Sequence, residues 1–225
     1  MIGPKQKRKV VVGVFAHPDD EAFGPGGSLA KFAKTDDVYV ICATRGEAGM
    51  NHQPEKNVKL SAIRENELLE SAKILGVKKV YFLDFADGTL CNNLYHQLAE
   101  KIELLLRRLR PEILITFEPR GISGHIDHVT ISLVTTFVFE KLSFIKKLLY
   151  YCIVEKQRQR LTNYFIYFPP GYRLTEVDFV NDVAEEWATK VKAMFTHASQ
   201  IKDVKRILKR HQGLPKHEHF LMKVK

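Results

Sequence analysis

Short apolar segments alternate with segments of helical length along the first two thirds of the chain, and this alternation constrains the fold most. The apolar segments predict five strands, at residues 9–16, 37–43, 80–83, 112–117 and 147–154. The segments between them predict helices at residues 26–34, 59–75, 94–109 and 126–142. Strands that are apolar throughout need cover on both faces, as in parallel sheets. The pattern therefore predicts an α/β fold with a Rossmann-like, mostly parallel sheet and helices on both faces.

The last third of the chain is less regular. It predicts a charged turn or short lid at residues 155–161, further strands at 164–168 and 176–179, and two closing helices at 183–197 and 201–211. The 225 residues contain no internal repeat, low-complexity tract or linker that would separate two units. We therefore expect a single domain spanning residues 1–225, with C-terminal strands and helices added to the main sheet.

Basic residues are concentrated at the two ends of the chain, whose net charge is +9. Residues 1–10 hold four basic residues and no acidic one, and residues 190–225 hold ten basic and two acidic residues. Such ends can attract nucleic acid or an anionic membrane surface. The simpler interpretation is that these basic residues lie on solvated helix faces. We therefore expect no nucleic-acid partner. We also expect the cations of the last predicted helix to play no role in the chemistry. These cations are Lys205, Arg206, Lys209 and Arg210.

Cysteine usage and hydropathy bear on the cellular compartment. The three cysteines are scattered without a C-x-x-C pair, which argues against a disulfide framework and against a thiolate zinc site. No apolar stretch reaches the roughly 18 residues of a membrane span, and the basic N-terminus lacks the long apolar segment of a signal peptide. These features predict a cytoplasmic protein with no integral membrane association. The two closing helices could serve the interface of a homo-oligomer.

One histidine and three acidic residues follow the first predicted strand, in the segment AHPDDE of residues 16–21. Ligand sites of parallel sheets lie at the carboxyl ends of the strands. Adjacent carboxylates such as Asp19 and Asp20 repel each other, and a divalent cation compensates this repulsion. His17 and Asp20 can supply nitrogen and oxygen to one ion. The structural alternative is a loop in which Asp19 or Asp20 caps the next helix.

A second cluster, GHIDH at residues 124–128, follows the fourth predicted strand. Because adjacent strands of one sheet bring their loops together, the two clusters can meet at one edge of the sheet. His17, Asp20 and one of the two later histidines, His125 or His128, would then form a three-ligand zinc site with an open position. That composition is typical of a catalytic rather than a structural zinc site.

The two clusters and a third motif resemble the LmbE/PIG-L family of zinc-dependent N-deacetylases, many of which act on N-acetylglucosamine conjugates. The third motif is the pattern K-x-x-A-x-x-x-H-x-S-Q over residues 190–200. The resemblance extends from about residue 10 to residue 200 and includes TRGE at residues 44–47. One departure is Ile126, where the family usually has proline, so the loop geometry can differ here.

The resemblance implies a metal site and a general base. His17, Asp20 and His128 would bind Zn²⁺, and Asp19 would take a proton from the attacking water. Amide hydrolysis agrees with these roles, because it needs a water made nucleophilic near neutral pH and a base within reach of it.

The resemblance also implies roles around the acyl group. His125 would stabilise the oxyanion or act as an acid, oriented by Asp127. Arg64 and Glu47 would contact the substrate or shape its pocket. The predicted function is removal of an acetyl group from an N-acetylated amino sugar, which is a small-molecule partner. The sugar could be free or oligomeric N-acetylglucosamine, its inositol or malate conjugate, or a lipid-linked form.

Two other functions stay open from the sequence. One is a catalytically weak binding module that uses its basic termini to hold nucleic acid or another anionic polymer. The other is a different metal-dependent hydrolase on the same site, such as an esterase or a peptide amidase. The intact Asp19 favours an enzyme, because a degenerate module is free to lose a base that binds no metal.

Two further features each have two interpretations. The glycine-rich turn at residues 24–27 could cradle a phosphate at a helix N-terminus, but it lacks the P-loop lysine, and close packing of loop and helix is favoured. His197 could approach the active site from the closing helices, or it could be a buried structural histidine.

Overall fold

The computed structural model describes residues 8–52, 58–158 and 167–225. Within these residues seven strands form a single sheet. The strands are β1 (Val10–Phe15), β2 (Asp37–Thr44), β3 (Lys79–Phe85), β4 (Ile113–Phe117), β5 (Lys147–Cys152), β6 (Phe179–Asp182) and β7 (His217–Val224). Their order across the sheet is β3-β2-β1-β4-β5-β7-β6. Strands β1 to β5 are parallel, whereas β7 is antiparallel to both β5 and β6.

Helices connect and cover the strands. They are α1 (Asp20–Phe23), α2 (Gly26–Thr35), α3 (Leu60–Ile74), α4 (Tyr95–Leu109), α5 (Gly121–Gly124), α6 (Ile126–Lys141), α7 (Glu155–Arg158), α8 (Trp187–Thr196) and α9 (Ile201–His211). Short 3₁₀ turns occupy Leu174–Glu176 and Ala198–Gln200. In the described part of the chain, none of the helices combines the length and the apolar character that crossing a membrane demands.

Side chains of alternate residues in each central strand point into two separate cores. Val12 and Val14 of β1 pack in the core that also contains the buried faces of α4 and α6. Val11 and Phe15 pack in the other core, with residues of α2, α3, α8 and α9. Burial on both faces explains why these strands are apolar throughout. The predicted α/β fold, mostly parallel and covered on both faces, is confirmed.

The C-terminal third differs from the prediction in several places. The strand expected at 176–179 lies at Phe179–Asp182, after a 3₁₀ turn, and α8 begins at Trp187 rather than at residue 183. The final strand β7 was not predicted. The strand expected at 164–168 falls mostly outside the described residues. The expected turn at 155–161 begins with α7, and its residues 159–161 are also outside that part.

The glycine-rich turn at residues 24–27 holds a carboxylate of the chain itself. Glu218 of β7 accepts hydrogen bonds from the backbone N–H groups of Gly27 (2.9 Å) and Ser28 (2.7 Å). A Cβ atom at Gly27 would lie 2.7 Å from Val183. The favoured interpretation, close packing, agrees with these contacts. The positive end of α2 is already compensated by Glu218.

The order of the strands creates a topological switch point between β1 and β4. From β1 the chain proceeds to β2 and β3 on one side and returns to β4 and β5 on the other side. Crevices form at the carboxyl ends of the strands where the order reverses in this way. The two clusters follow β1 and β4, so both lie at this crevice.

Candidate metal-dependent active site

The three residues predicted to bind zinc bring their ligand atoms together. His17 follows β1, Asp20 begins α1, and His128 lies in the first turn of α6. Nδ1 of His17 lies 3.1 Å from Nε2 of His128, which lies 3.3 Å from Oδ1 of Asp20. Ligand atoms about 2.0–2.1 Å from a tetrahedral zinc ion lie roughly 3.3–3.4 Å apart. The donor set and its spacing therefore fit a zinc ion.

Asp20 and His128 are each oriented by contacts through atoms other than the proposed ligand atoms. Oδ2 of Asp20 accepts hydrogen bonds from the backbone N–H groups of Ala16 (3.1 Å) and His17 (2.8 Å), which turns Oδ1 toward His128. Nδ1 of His128 lies 3.1 Å from the carbonyl oxygen of Gly121, and its ring stacks on Phe117 at 4.4 Å. Although burial opposes it, the positive charge of His128 keeps the pKa of Asp20 below its usual range.

His17 is oriented by two carboxylates, one of which the sequence analysis missed. Nε2 of His17 lies 2.9 Å from Oδ1 of Asp87 and 3.1 Å from Oδ2 of Asp127. A proton on Nε2 leaves Nδ1 available for a metal ion. Burial lowers the pKa of His17, but nearby carboxylates, above all the hydrogen bonds with Asp127 and Asp87, raise the pKa to about 10, so a metal ion bound at Nδ1 would displace a proton from that nitrogen. Asp87 follows β3, so an acidic residue just after a third strand was the available signal.

A second set of potential ligand atoms shares His17 with the first. It combines His17, His125 and Asp127. Both carboxylate oxygens of Asp127 already accept hydrogen bonds, Oδ2 from the N–H of Gly88 (2.8 Å) and Oδ1 from the N–H of Leu90 (3.0 Å). The set with Asp20 and His128 is therefore the better metal site, since Oδ1 of Asp20 lies 3.3 Å from Nε2 of His128.

Asp19 has a strained backbone and a carboxylate that is 14% exposed. Its φ of 113° lies in the region that favours glycine, and strain of this kind clusters at functional sites. The N–H of Asp19 donates to Oε2 of Glu21 (3.0 Å), and Nη2 of Arg64 pairs with its Oδ2 (2.9 Å). Burial raises the pKa of Asp19 to about 7, although the Arg64 guanidinium acts in the opposite direction. A general base works best with a pKa near the operating pH.

Glu21 and His197 form a buried pair, and Glu21 also accepts a hydrogen bond from the backbone of Asp19. The carboxylate of Glu21 is 1% exposed, and its Oε1 lies 2.8 Å from Nε2 of His197 and accepts a hydrogen bond from Ser71. His197 is fully buried, and burial alone would lower its pKa, but the charge and hydrogen bond of Glu21 together with the charges of Asp19 and Glu67 raise the pKa above its usual value. Of the two interpretations of His197, the buried one agrees with the structure, and its contact with Glu21 links it to the backbone of Asp19.

His125 caps the helix that carries His128. Its Nδ1 accepts a hydrogen bond from the backbone N–H of Asp127 at 3.1 Å, so the neutral ring carries its proton on Nε2. Burial and the positive charges of His128 and His17 lower the pKa of His125 to about 4. The carboxylate of Asp127, predicted to orient His125, contacts His17 instead, and Asp127 reaches His125 through its backbone.

Arg64 and Glu47 differ in their distance from the cavity. Arg64 is 4% exposed, lines the cavity, and donates to the carbonyl oxygens of Gly46 and Pro18 besides pairing with Asp19. Glu47 is not among the described residues that line the cavity, and its Oε1 accepts a hydrogen bond from the N–H of Asp87 (2.9 Å). Glu47 thus contacts the loop that carries Asp87.

A cavity of about 400 Å³ opens at these residues. Its charged and polar lining near the metal site consists of His17, Asp19, Asp20, Arg64, Asp87, His125 and His128. Helix α9 adds Arg206 and Arg210, of which Arg210 is only 5% exposed. The expectation that the cations of α9 lie on a solvated face is therefore wrong for Arg210, because this face of the helix packs against the cavity. Lys205 and Lys209 are exposed, as expected.

The family described as "PIG-L: GlcNAc-PI de-N-acetylase" matches residues 12–139. The match covers more than half of the chain and includes both clusters. The chain belongs to the PIG-L family. Membership confirms the family predicted from the three motifs and the predicted class of enzyme, a deacetylase.

A curated PIG-L relative and two solved structures are similar to most of the chain. The probable N-acetyl-α-D-glucosaminyl L-malate deacetylase 2 of Bacillus cereus is 30% identical over 203 residues, which cover 86% of this chain and 84% of the relative. The structure of N,N'-diacetylchitobiose deacetylase from Pyrococcus horikoshii aligns with a TM-score of 0.72 at 21% identity, over 99% of this chain and 86% of that chain.

The other structure is GalB, the 4-carboxy-2-hydroxymuconate hydratase of Pseudomonas putida. It aligns with a TM-score of 0.70 at 18% identity, over 96% of this chain and 97% of that chain. At such identities the likeness shows the fold alone. The presence of a hydratase among these neighbours means that the reaction has to be argued from the site.

The departure from the PIG-L pattern at Ile126 leaves the helix start intact. Helix α6 begins at Ile126, which is 64% exposed, and His125 supplies the side-chain cap. Proline is favoured at the first position of a helix because that N–H has no partner within the helix. An exposed isoleucine is compatible with the same position.

Proposed function

We propose that this PIG-L protein is a zinc-dependent hydrolase that removes the acetyl group from an N-acetylglucosamine-type amino sugar. The observation that carries the proposal is the meeting of three ligand atoms, from His17, Asp20 and His128, in a cavity that Asp19 and His125 also line. The name of the Bacillus cereus relative and that of the matching family both describe the removal of an acetyl group from such a sugar, which supports the same substrate class.

The metal would be held by Nδ1 of His17, Oδ1 of Asp20 and Nε2 of His128. Two histidines and one carboxylate with an open position are typical of catalytic zinc. Zinc in such a site lowers the pKa of a water to about 7 and polarises a carbonyl group. The carboxylates of Asp87 and Asp127 hold the His17 ring in the tautomer that such binding needs.

Asp19 would act as the general base. Its carboxylate accepts the proton of the attacking water while the water oxygen forms a bond to the acyl carbon. Arg64 fixes one carboxylate oxygen, and Glu21 fixes the backbone, so the base is positioned before the substrate arrives. Collapse then breaks the C–N bond, the proton held by Asp19 passes to the departing nitrogen, and acetate and the free amine are released.

His125 would stabilise the negative charge on the acyl oxygen. Because Nδ1 accepts from the backbone, the neutral ring carries its proton on Nε2, which can donate a hydrogen bond to that oxygen as it gains charge. A donor held in place for the oxyanion is typically worth a factor of about 10²–10³ in kcat. The lowered pKa of His125 keeps the ring neutral near pH 7, so its role is that of a neutral donor.

A panel of N-acetylated substrates tests the proposal. Zinc-loaded protein is expected to release acetate from N-acetylglucosamine, from N,N'-diacetylchitobiose or from N-acetylglucosaminyl malate. His128→Ala and Asp20→Asn are expected to lose zinc, measured by elemental analysis, together with activity. Acetate release that persists in both variants at unchanged zinc content would contradict the proposed site. A zinc-loaded protein that releases no acetate but binds an anionic polymer would support the binding-module alternative.

A further inference from the structure

Helix α6 is apolar on two opposite sides, of which only one is covered. Its inner side packs in the core, for example through Ile131 and Val138. Its outer side presents Ile126, Leu133 and Phe137, which are 64%, 62% and 55% exposed. Their spacing of seven and four residues places them on one side of the helix, and we call these three side chains the α6 stripe. A helix that is apolar all round is normally buried, so the stripe needs a partner that covers it.

The α6 stripe differs from the exposed face of α9, one of the helices expected from the sequence to serve an oligomer interface. Between His128 and Glu140, helix α6 has no charged side chain. The exposed face of α9 carries Lys205 and Lys209. A symmetric contact through α9 would bring like charges together, whereas a contact through α6 would not.

A groove of about 440 Å³ lies beside the α6 stripe. Leu133 belongs to both the stripe and the groove. The other apolar walls come from α6, β5 and β7 and include Val129, Tyr150, Leu221 and Met222. The outer side of α6 therefore combines a ridge of large side chains with a hollow of matching chemistry.

The hydroxyl groups in the groove already have partners inside the protein. Oγ of Ser132 donates to the carbonyl oxygen of Phe117 at 2.7 Å. Oγ1 of Thr136 donates to the carbonyl oxygen of Ser132 and lies 2.7 Å from the hydroxyl of Tyr150. Apolar side chains that cover the groove would leave these hydrogen bonds intact, so the usual cost of burying unpaired polar groups is avoided.

A ridge beside a groove on one face can pair with a copy of itself. In a two-fold symmetric contact, the same patch of both copies meets. Leu133 lies near the middle of α6 (Ile126–Lys141), so an axis through Leu133 and perpendicular to the helix makes the two helices antiparallel. Val129 and Phe137 each lie four residues from Leu133. Phe137 of each copy then faces Val129, and with it the groove, of the other copy.

The ends of α6 are complementary in charge in this antiparallel arrangement. Glu140 lies seven residues after Leu133, and Ile126 lies seven residues before it. The carboxylate of Glu140 therefore comes to the N-terminal end of the second α6, whose helix dipole favours a negative charge. Glu140 is 58% exposed and pairs with Lys223 at the edge of the groove, so it can make this contact at the rim. A parallel contact would instead bring two Glu140 carboxylates together.

The apolar area suits a dimer of moderate strength. Three large side chains, each more than half exposed, leave on the order of 300 Å² of apolar surface in water. A standard interface covers about 800 Å² on each partner. The stripe thus supplies more than a third of such an interface before the groove walls and the helix ends are counted.

We propose that the α6 stripe and the groove beside it form the interface of a homodimer, in which two α6 helices meet antiparallel at Leu133. The occupant of the groove is then a second copy of this chain. The stripe is not among the described residues that line the cavity of the metal site. The proposal goes beyond the proposed function and does not depend on it.

Light scattering after size exclusion tests the assembly. The purified protein at about 100 µM is expected to be a dimer that dissociates on dilution. Leu133→Glu brings two carboxylates together at the axis and is expected to raise the dissociation constant of the dimer by at least about thirtyfold. Leu69→Glu is the matched control, because Leu69 is a 42% exposed leucine of α3, on the other face of the sheet. It should leave the dissociation constant unchanged.

Ile126 provides a milder test, because the PIG-L family usually has proline there. Proline fits the first position of a helix and covers less apolar surface than isoleucine. Ile126→Pro is therefore expected to raise the dissociation constant by a few fold and to leave the helix content, measured by circular dichroism, unchanged.

A cysteine at the axis tests the geometry of the contact. Cys91→Ser removes the exposed native cysteine and provides the background. In that background, Leu133→Cys is expected to form a disulfide-linked dimer on mild oxidation, because only a residue close to a two-fold axis can reach its own copy. Leu69→Cys in the same background should remain a monomer on a denaturing gel.

The outcomes decide whether a second copy covers the stripe. A protein that stays monomeric at about 100 µM overturns the proposal, including one that binds lipid vesicles or an apolar dye through the stripe. An assembly that keeps its size in Leu133→Glu, or a cross-link no more frequent at Leu133→Cys than at Leu69→Cys, also overturns it. The cross-link tests the contact even where Leu133→Glu does not fold. None of these measurements uses acetate release, so the proposed deacetylase function is tested separately.

Discussion

Two clusters of buried charge lie in different parts of this protein, and they are built differently. The metal-site cluster consists of His17, Asp19, Asp20, Arg64, Asp127 and His128, which meet at the carboxyl ends of β1 and β4. The second, which we call the Glu218 cluster, consists of Glu218 and Lys190 with the turn that begins α2. Residues of the metal-site cluster line the cavity of about 400 Å³, whereas Glu218 and Lys190 are 1% and 0% exposed and are not among the described residues that line it.

The difference lies in how completely each charge is satisfied. In the Glu218 cluster, the two carboxylate oxygens accept two backbone N–H groups and the Lys190 ammonium, which also donates to the carbonyl oxygen of Gly24. In the metal-site cluster, two imidazole nitrogens lie 3.1 Å apart, close to a carboxylate and a strained Asp19. Burial of charge alone thus does not identify a functional site, whereas ligand atoms that face one another across a cavity do.

The largest effect is expected from Asp19→Asn. The neutral amide cannot accept the proton of the water, so kcat should fall by roughly 10²–10⁴-fold. Stability should not fall, because burial disfavours the charged form of Asp19 and raises its pKa to about 7, whereas the amide carries no charge. Kinetics of acetate release, zinc content and chemical denaturation measure the three quantities. Loss of zinc or of stability in parallel with activity would assign Asp19 a structural role instead.

Glu218→Gln is expected to lower stability and to leave activity unchanged, the reverse of Asp19→Asn. Removing one partner of a fully buried pair leaves the Lys190 charge uncompensated, which typically costs about 3–5 kcal/mol of the free energy of unfolding. Activity measured well below the unfolding temperature should be retained. Urea denaturation measures the change in the free energy of unfolding. The double variant that also carries Lys190→Met should regain part of the lost stability.

The exposed pair of Glu140 and Lys223 provides the control for Glu218→Gln. Its side chains are 58% and 48% exposed, so Glu140→Gln should cost less than about 1 kcal/mol. Similar losses in the two variants would mean that burial of the Glu218 cluster contributes no more than an ordinary surface pair, and the contrast drawn between buried and exposed pairs would fail.

His197 belongs to neither cluster. A substitution at His197 tests how far the activity of the metal-site cluster depends on the contact between His197 and Glu21. His197→Leu removes the contact with Glu21, which holds the backbone of Asp19. We expect kcat to fall about tenfold through misplacement of the base, with zinc content and KM nearly unchanged. His197→Gln, which can still donate to Glu21, should recover part of kcat. A loss confined to thermal stability in both variants would rule out the positioning role.

The sequence predicted the parallel half of the fold and the metal-site cluster because both depend on short segments. A strand and the loop after it are adjacent in the chain, so AHPDDE and GHIDH could be placed at one edge of the sheet from the strand pattern alone. Asp87 was missed because it lacks a motif, and its role depends on the loop after β3 reaching His17.

The Glu218 cluster and β7 could not be predicted in the same way. Glu218 contacts Gly27 and Ser28, which are 191 and 190 residues distant, and its role depends on the chain returning to that turn. Strand β7 also lacks an apolar pattern at its start, because it begins with the polar residues His217, Glu218 and His219 although Glu218 and His219 are buried. Likewise, the helical pattern of α9 gave its boundaries, but which of its cations line a cavity depends on packing against the rest of the fold.

The smallest expected effect concerns the pH dependence of stability near the Glu218 cluster. His219 is 6% exposed, and burial together with the charge of His217 lowers its pKa to about 4. The pKa of an unfolded histidine is about 6.5, so protonation favours the unfolded state. The contribution of neutral His219 is complete above pH 6.5 and is lost as the pH falls toward 4, with about 2 kcal/mol lost by pH 5. Denaturation of the unaltered protein and of His219→Gln from pH 7 to pH 4, with His96→Gln as an exposed control, measures it. The stability difference between the unaltered protein and His219→Gln should shrink across this range, whereas a constant difference would mean that His219 does not couple acid to unfolding.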